Sequence, residues 1–491
     1  MKSTHHQAII VGSGMGALTT ACLLAQQGLN CLVLEQNYLP GGCTSSYWRK
    51  GFVFESGATT LVGLDPHMPL QYLLNQTGIK LNTIHLSLPM QVHLKDQQVA
   101  QRYQSLDAWI TEAERVFGKK NQRKFWEFCY KVSQFVWKTS LRQTAFPPTQ
   151  LADWWQCIRN ASVQQVNYAR YAFFSMQWLL KKFDLLDNQL FVNFVDEQLL
   201  ITAQNYHPEV NVLFGATALC YTNYKNYYMP GGLINLVNPL IEYLEQHGSE
   251  VILRNGVQQI EYNTVNQQYN ITAKKGNYTC DFLISGVPLN NTVQLYKNAV
   301  KPTLKHKVLP SEKLNSAFQM GIGFTPGKHT PQNCIHHQIH LPKPLPEVGS
   351  HSIFVSLSHP KDPSRCDTKG QMVASISTHI AHPAQNTNIN KDLVEQVILD
   401  TLEQKGFLAK EDIIYSHSST QKSWQKWTGR AYGFVGGYPQ YMNTKPWQMV
   451  GARLDQHKAY LCGDTAYPGQ GIPGAVLSGI IAFDKLKRDW L

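Results

Sequence analysis

The chain has 491 residues, 43% of them hydrophobic and 16% charged, with 44 Lys/Arg against 33 Asp/Glu for a formal net charge of +11. That is a globular composition with material for about three conventional domains, and no tract of about 18 uninterrupted apolar residues suggests a membrane-spanning helix. The positive surplus suits a nucleic acid or an anionic membrane surface, and with no nucleic-acid motif beside it only the membrane is carried forward.

Residues 7–11 (QAIIV) read as a short buried strand, Gly12-Ser13-Gly14-Met15-Gly16-Ala17 as a tight turn, and Ala17, Ala21, Leu24 and Ala25 as one face of a helix closed by Gly28. Lys2 and this apolar run superficially resemble a secretion signal, but the glycines argue against it. Residues 31–34 (CLVL) form a second buried strand with Glu35 at its end, 23 positions after Gly12. This is the G-x-G-x-x-G/A dinucleotide fingerprint in its strand–turn–helix–strand context. Gly12 permits the turn, Gly14 lets backbone amides approach a pyrophosphate, and small Ala17 lets helix pack on strand. The helix start at Met15 and Gly16 offers partial positive charge to those phosphates, and Glu35 can accept from ribose hydroxyls.

Next, Pro40-Gly41-Gly42 supplies a second small-residue turn able to pass beneath an extended cofactor, followed by Gly51–Gly57 (GFVFESG). In mid-chain, Pro230-Gly231-Gly232 precedes a helix with Leu233, Leu236, Val237, Leu240, Ile241 and Leu244 on one face, capped by Gly248. The strand SEVILRNGVQQIEY follows, then a hairpin turning at Lys275-Gly276-Asn277. Near the C-terminus, AYLCGDTAYPGQGIPGAVLSGIIAFDKL reads as a buried strand ending in Gly463-Asp464, a Gly/Pro loop, and a helix beginning near Pro473. Gly321-Ile322-Gly323 lacks a third small residue because Pro326 stands there, so a separate nicotinamide site is not expected. The ten cysteines form no C-x-x-C pair, which reads as a reduced cytosolic protein. His5-His6 and His336-His337 have no companion cluster at metal spacing; they are expected on the surface or in loops, and no metal is expected.

Taken together, GSGMGA, LPGGCTSS, GFVFESGATTLVGL, MPGG and CGDTAYPGQGIPG resemble the FAD-dependent carotenoid desaturase and isomerase family, within the phytoene desaturase superfamily. The nearest look is to bacterial carotenoid isomerases and carotenoid 3,4-desaturases. Cys43 stands where phytoene desaturases usually carry arginine, and Tyr467-Pro468-Gly469-Gln470-Gly471 departs from the amine oxidase loop. The resemblance implies an α/β fold: a discontinuous Rossmann-like FAD-binding domain (1–95, 220–290 and 425–491) with an interleaved α+β substrate-binding domain (96–219 and 291–424). It implies that Val257 contacts the adenine, that Asp464 holds the ribityl hydroxyls, and that the backbone of Gly471, Ile472 and Gly474 faces the pyrimidine edge of the flavin. The flavin carries the chemistry, either hydride transfer to N5 in desaturation or polarisation of a polyene in cis–trans isomerisation. No catalytic acid or base is assigned. A polyene reductase like the retinol saturases, an amine oxidase and a non-catalytic lipid escort protein are the alternatives.

Residues 109–178 hold six of the eleven tryptophans, and between 121 and 182 nine Lys/Arg face only Glu127 and Asp153. Aromatic and basic residues on helices suit a membrane-facing lid over 109–182, with a buried lid as the plainer reading. The expected partners are an apolar polyene and an anionic membrane surface, and the expected location is cytoplasmic and peripherally membrane-associated.

Overall fold

The computed structural model describes residues 4–162 and 167–491; Lys2 and residues 163–166 of the lid region lie outside them. Two seven-stranded sheets organise the described residues. In the first, Glu250–Ile252, Cys31–Leu34, Thr4–Val11, Gly276–Ser285 and Ala459–Leu461 run parallel in that spatial order. The antiparallel strands Gln268–Ala273 and Val257–Asn263 extend it. Near-continuous apolar runs such as AIIV and CLVL are what a sheet covered on both faces needs. The helix Met15–Gln26 is buried from Met15 to Ala25, on more than the one face its pattern advertised, because the sheet lies on one side and the helix Ile472–Trp490 crosses the other. At that crossing a Cβ on Gly479 would stand 2.4 Å from the Gly16 carbonyl oxygen.

The segment expected as one strand over 249–262 is two. Glu250–Ile252 extends the parallel sheet and Val257–Asn263 starts the hairpin. Arg254 at φ 54° and fully buried Asn255 turn the chain between them, and Asn255 accepts from the Lys275 amide at 2.7 Å.

The second sheet runs Ile413–Ser419, Asn315–Phe324, Met372–Ala381, Ser352–Leu357, His336–His340, Met90–His93, Val99–Arg102. Because Met90–His93 and Val99–Arg102 form a hairpin within it, residue 95 falls at a turn of this sheet. One face is apolar, with Phe318, Met320, Ile322, Ile353, Val355 and Ile376 packed on the helix Lys391–Gln404 through Val394, Ile398 and Leu402. The other face, carrying Ala317, Gln319, Phe354, Ser377 and His379, lines a cavity. His336 and His337 lie in a buried strand, not in a loop or on the surface as the sequence suggested; burial pushes both imidazoles down to about 3. They are tolerated there as neutral rings: His336 hydrogen-bonds Ser356 and His337 the Cys334 carbonyl.

A third layer is helical. Leu106–Phe117, Gln122–Ser140, Gln189–Ala203 and Val212–Leu219 share a core containing Trp109, Trp126, Phe191 and Phe194. Fully buried Arg102 stacks 4.0 Å above the Trp109 ring and donates to Thr222 at 2.7 Å.

Candidate functional site

One cavity of about 1050 Å³ runs from the carboxyl ends of the parallel strands into the space between the second sheet and the helical layer. That volume lies just above the usual range for small-molecule sites, about 300–1,000 Å³. Its first part lies at the topological switch between Thr4–Val11 and Gly276–Ser285, where open α/β sheets place ligands.

Here the sequence-predicted residues converge: Gly12, Gly14, Met15, Gly16, Glu35, Gly41, Gly42, Val257, Gly463, Asp464, Gly471 and Ile472 all line the cavity. Ala17 does not. It packs behind the turn, 2.4 Å from where a Cβ on Gly286 would stand, which is the helix-on-strand contact its small size was read for. Gly12 has φ 88°, and a Cβ at Gly14 would meet nothing within 4 Å, so that backbone faces open space. Glu35 is buried and ties the turn together, accepting from the Ser13 amide and hydroxyl at 2.9 and 2.6 Å and from the Asn37 amide at 2.8 Å. The second glycine turn is bonded to the first, with the Gly41 amide donating to the Ser13 carbonyl at 3.1 Å.

Two helices point their N-termini into this cavity, and neither is capped by a side chain: Met15–Gln26 begins at Gly14 and Ile472–Trp490 at Gly471. Uncapped amides carry partial positive charge. Two such ends, the acidic side chains of Glu35 and Asp464 and a side-chain-free floor between them fit an extended dinucleotide, with its central diphosphate at one helix end and an electron-accepting ring at the other.

Other residues of the cradle escaped the sequence reading. Arg430 pairs with Asp464, Nη2 to Oδ2 at 2.5 Å, and lines the cavity with Asn291, Trp424 and Trp427. Burial pushes the Cys43 thiol up, with the Arg430 guanidinium opposing the shift. The available signal was the glycine-rich run Gly429–Gly437; a Cβ on Gly437 would stand 2.1 Å from the Asp464 carbonyl oxygen. Glu55 of the GFVFESG segment faces away from the cavity. It pairs with Arg365 at 2.8 Å, accepts from Ser46 at 2.6 Å and from the Leu233 amide at 3.2 Å, holding the start of the helix Ile234–Gln246 against the antiparallel pair Ser46–Arg49 and Phe52–Glu55.

The second part of the cavity is walled by Phe135, Val136, Phe146, Leu213 and Phe214, and reaches Cys157, Ala161, Ala172 and Trp447 beside the helix Leu151–Arg159. That helix is inverted. Leu151, Trp154, Trp155 and Ile158, at i, i+3, i+4 and i+7, form one apolar stripe that is 88%, 50%, 69% and 65% exposed, while Asp153 is buried. Asp153 accepts from Arg453 at 2.6 Å and from the Thr149 amide at 2.9 Å, with Lys485 at 3.5 Å. Burial alone would raise the Asp153 carboxyl, but Arg453 and Lys485 hold it down at about 2. The tryptophans of the lid region therefore divide: Trp109 and Trp126 are core, Trp154 and Trp155 face outward. Among the described residues no helix is long and apolar enough to cross a membrane.

Residues 18–484 match the family model of flavin containing amine oxidoreductases. Prolycopene isomerase 1, chloroplastic, of an Oncidium hybrid cultivar is 23% identical over 99% of this chain and 85% of its own. All-trans-retinol 13,14-reductase of Danio rerio is 26% identical over 55% of this chain and 44% of its own. A solved oxidoreductase from Methanosarcina mazei superposes with a TM-score of 0.64 at 14% identity, over 97% of this chain and 100% of its own, a likeness of fold.

Proposed function

The chain belongs to the flavin containing amine oxidoreductase family, and from that premise we propose that it is an FAD-dependent oxidoreductase acting on a long apolar polyene of the carotenoid class, by desaturation or cis–trans isomerisation. The observation that carries the reading is the single cavity joining a dinucleotide cradle to an aromatic and aliphatic arm. The full-length likeness to a prolycopene isomerase supports the same substrate class.

In this reading the turn from Gly12 to Gly16 and the helix it opens hold the pyrophosphate. Glu35 would hold the adenosine ribose, Val257 would contact the adenine, and Gly41 and Gly42 would leave room beneath the chain. Asp464, steadied by Arg430, takes the ribityl hydroxyls. The amides at Gly471 and Ile472 would offer partial positive charge to the pyrimidine side of the ring. FAD, when bound, supplies the two-electron chemistry. The protein's own part is to keep the arm dry and to hold the polyene extended along Phe135, Val136, Leu213 and Phe214.

The inverted helix Leu151–Arg159 gives the same cavity a way to meet its substrate. A polyene of carotenoid length is insoluble in water, and an entrance pressed into the headgroups shortens an aqueous transfer. The outward stripe of Leu151, Trp154, Trp155 and Ile158 would enter the interface. Lys445, 5.7 Å from the ring of exposed Phe173, and Lys181 and Lys182 on the helix Met176–Lys182 supply charge for an anionic surface. Peripheral attachment of this kind is part of the proposal.

Expression in a host that accumulates cis-configured and partly saturated carotenoids, followed by pigment extraction, tests the function. A longer chromophore supports desaturation and an all-trans product supports isomerisation. Unchanged pigment in the presence of flavin-loaded protein refutes both. A shortened chromophore would favour a polyene reductase, the reading that the partial likeness to a retinol 13,14-reductase keeps in view.

A further inference from the structure

The cavity is short of positive charge. Two carboxylates line it, Glu35 and Asp464, and among the described residues Arg430 is the sole Lys or Arg that does. His379 adds none, because burial pushes its imidazole down to about 4. Arg430 stands just beyond the helix Gln421–Thr428, where Gly429 turns the chain at φ 67°. The Asn291 carboxamide grips the backbone on both sides of it, donating to the Gly429 carbonyl at 2.7 Å and accepting from the Ala431 amide at 3.1 Å. The guanidinium lies 5.2 Å from the centre of the Phe434 ring. Its Nη2 donates to Asp464, while Nη1 is buried and has no hydrogen-bond partner among the described residues. A buried cationic donor left without an acceptor is costly. Burial opposes the charge on Arg430, but Asp464 first and then Cys43 outweigh it and push the guanidinium up, so the group stays a cation. Cys43 also fixes where that cation stands: the thiol follows Gly41 and Gly42, and Gly41 is bridged to Gly14 at the start of the helix Met15–Gln26.

Resting on the FAD reading above, we propose that Arg430 binds the cofactor's diphosphate directly, supplying from the C-terminal segment the cation that the second glycine turn lacks at Cys43. A diphosphate is a dianion, and the helix end at Gly14 offers it only about half a positive charge. With Glu35 and Asp464 already lining the cavity, a dianion brought between them without a cation sets like charges together away from bulk water. The planar guanidinium can hold a carboxylate on one edge and a phosphate oxygen on another. Nη2 already serves Asp464, and Nη1 is the donor left to answer. Cys43 stands where phytoene desaturases usually carry arginine; here a guanidinium reaches that same thiol from near the other end of the chain. Arg430 is thus a cofactor-binding residue with two tasks, and through it the acid at the ribityl position and the diphosphate share one cation.

The test is equilibrium binding of FAD and of ADP to the full-length chain freed of flavin, read by calorimetry beside a thermal melt. ADP carries the adenosine and the diphosphate but neither the ribityl chain nor the ring, so it senses Arg430 without the ribityl contact of Asp464. Arg430→Gln with Asp464→Asn removes the ion pair as a unit and leaves neither charge buried alone. That double variant should weaken ADP by about tenfold to a hundredfold, the scale of one charge-assisted hydrogen bond, whereas Asp464→Asn alone should bind ADP as tightly as wild type or more so. Adding Cys43→Arg to the double variant should recover most of the loss, which a damaged fold would not allow. If the double variant keeps its ADP affinity and loses only FAD, Arg430 serves Asp464 alone; that result overturns this inference and leaves the FAD reading standing. An ADP loss that Cys43→Arg leaves unrepaired, or a wild type that binds FAD but not ADP, overturns it equally. A wild type that binds neither ligand overturns the FAD reading and this inference with it.

Discussion

Replacing Trp154 and Trp155 together by serine should uncouple the protein from membranes without unfolding it. The two rings are 50% and 69% exposed, so at about 200 Å² per tryptophan roughly 240 Å² of mostly apolar surface is available for insertion. At about 25 cal/mol per Å² full insertion is worth about 6 kcal/mol. Insertion to half that depth, in the headgroup zone, leaves about 3 kcal/mol, or about a hundredfold in partitioning. Folding should change by no more than about 0.5 kcal/mol, because neither ring fills the core. Co-flotation with liposomes containing phosphatidylserine, beside a thermal melt, reads both quantities. If the double variant floats as wild type does, the outward stripe is ordinary surface and the entrance of the substrate lies elsewhere. If the melt collapses instead, the tryptophans are structural and the exposed-face argument fails.

The electrostatic share of docking should show separately: Lys181→Glu with Lys182→Glu should lower binding to anionic vesicles, and wild-type binding should weaken with salt over a screening length of about 8 Å at physiological ionic strength. Gly16→Val should purify without flavin absorbance, since even a Cβ there would stand 2.7 Å from the Gly463 amide nitrogen and 3.0 Å from the Ala475 carbonyl oxygen; a yellow variant would mean the two cofactor segments can part without losing the cradle. Glu35→Ala should cut FAD retention after dialysis by about tenfold to a hundredfold, the loss of a charge-assisted acceptor worth about 1.5–3 kcal/mol, and unchanged occupancy would leave Glu35 a tie for the Ser13 turn alone. Asp153 is held at about 2 in the fold against about 3.9 unfolded, so its stabilisation is present above about pH 4 and lost as pH falls toward 2. That contribution is about 2.5 kcal/mol, and denaturant titrations of Asp153→Asn against wild type should converge over that acid window; curves that stay parallel would deny the carboxylate its role.

The cofactor cradle was legible because its chemistry is carried by backbone. A turn that must come close to a diphosphate needs glycine at fixed spacing, and a strand that ends at the ligand needs its acid one residue beyond the apolar run. Gly12, Gly14, Gly16 and Glu35 therefore announce themselves in one continuous segment, and all four line one cavity. The substrate arm is written differently. Its polar floor draws Gln319 from one strand and Ser377 and His379 from another, and neither strand alone distinguishes a cavity-facing serine from a solvent-facing one. Period-two alternation gives which side chains share a face but not what covers that face. The same blindness made His336-His337 look like surface residues when the sheet buries both. The helix Leu151–Arg159 adds a sharper case, because its apolar stripe is the pattern that normally marks a core-facing helix. What inverts it is Asp153, whose partners Arg453 and Lys485 lie about 300 residues downstream. Pulling one carboxylate inward turns four apolar side chains out, so the membrane-facing reading of this region rests on a long-range ion pair more than on its tryptophan content.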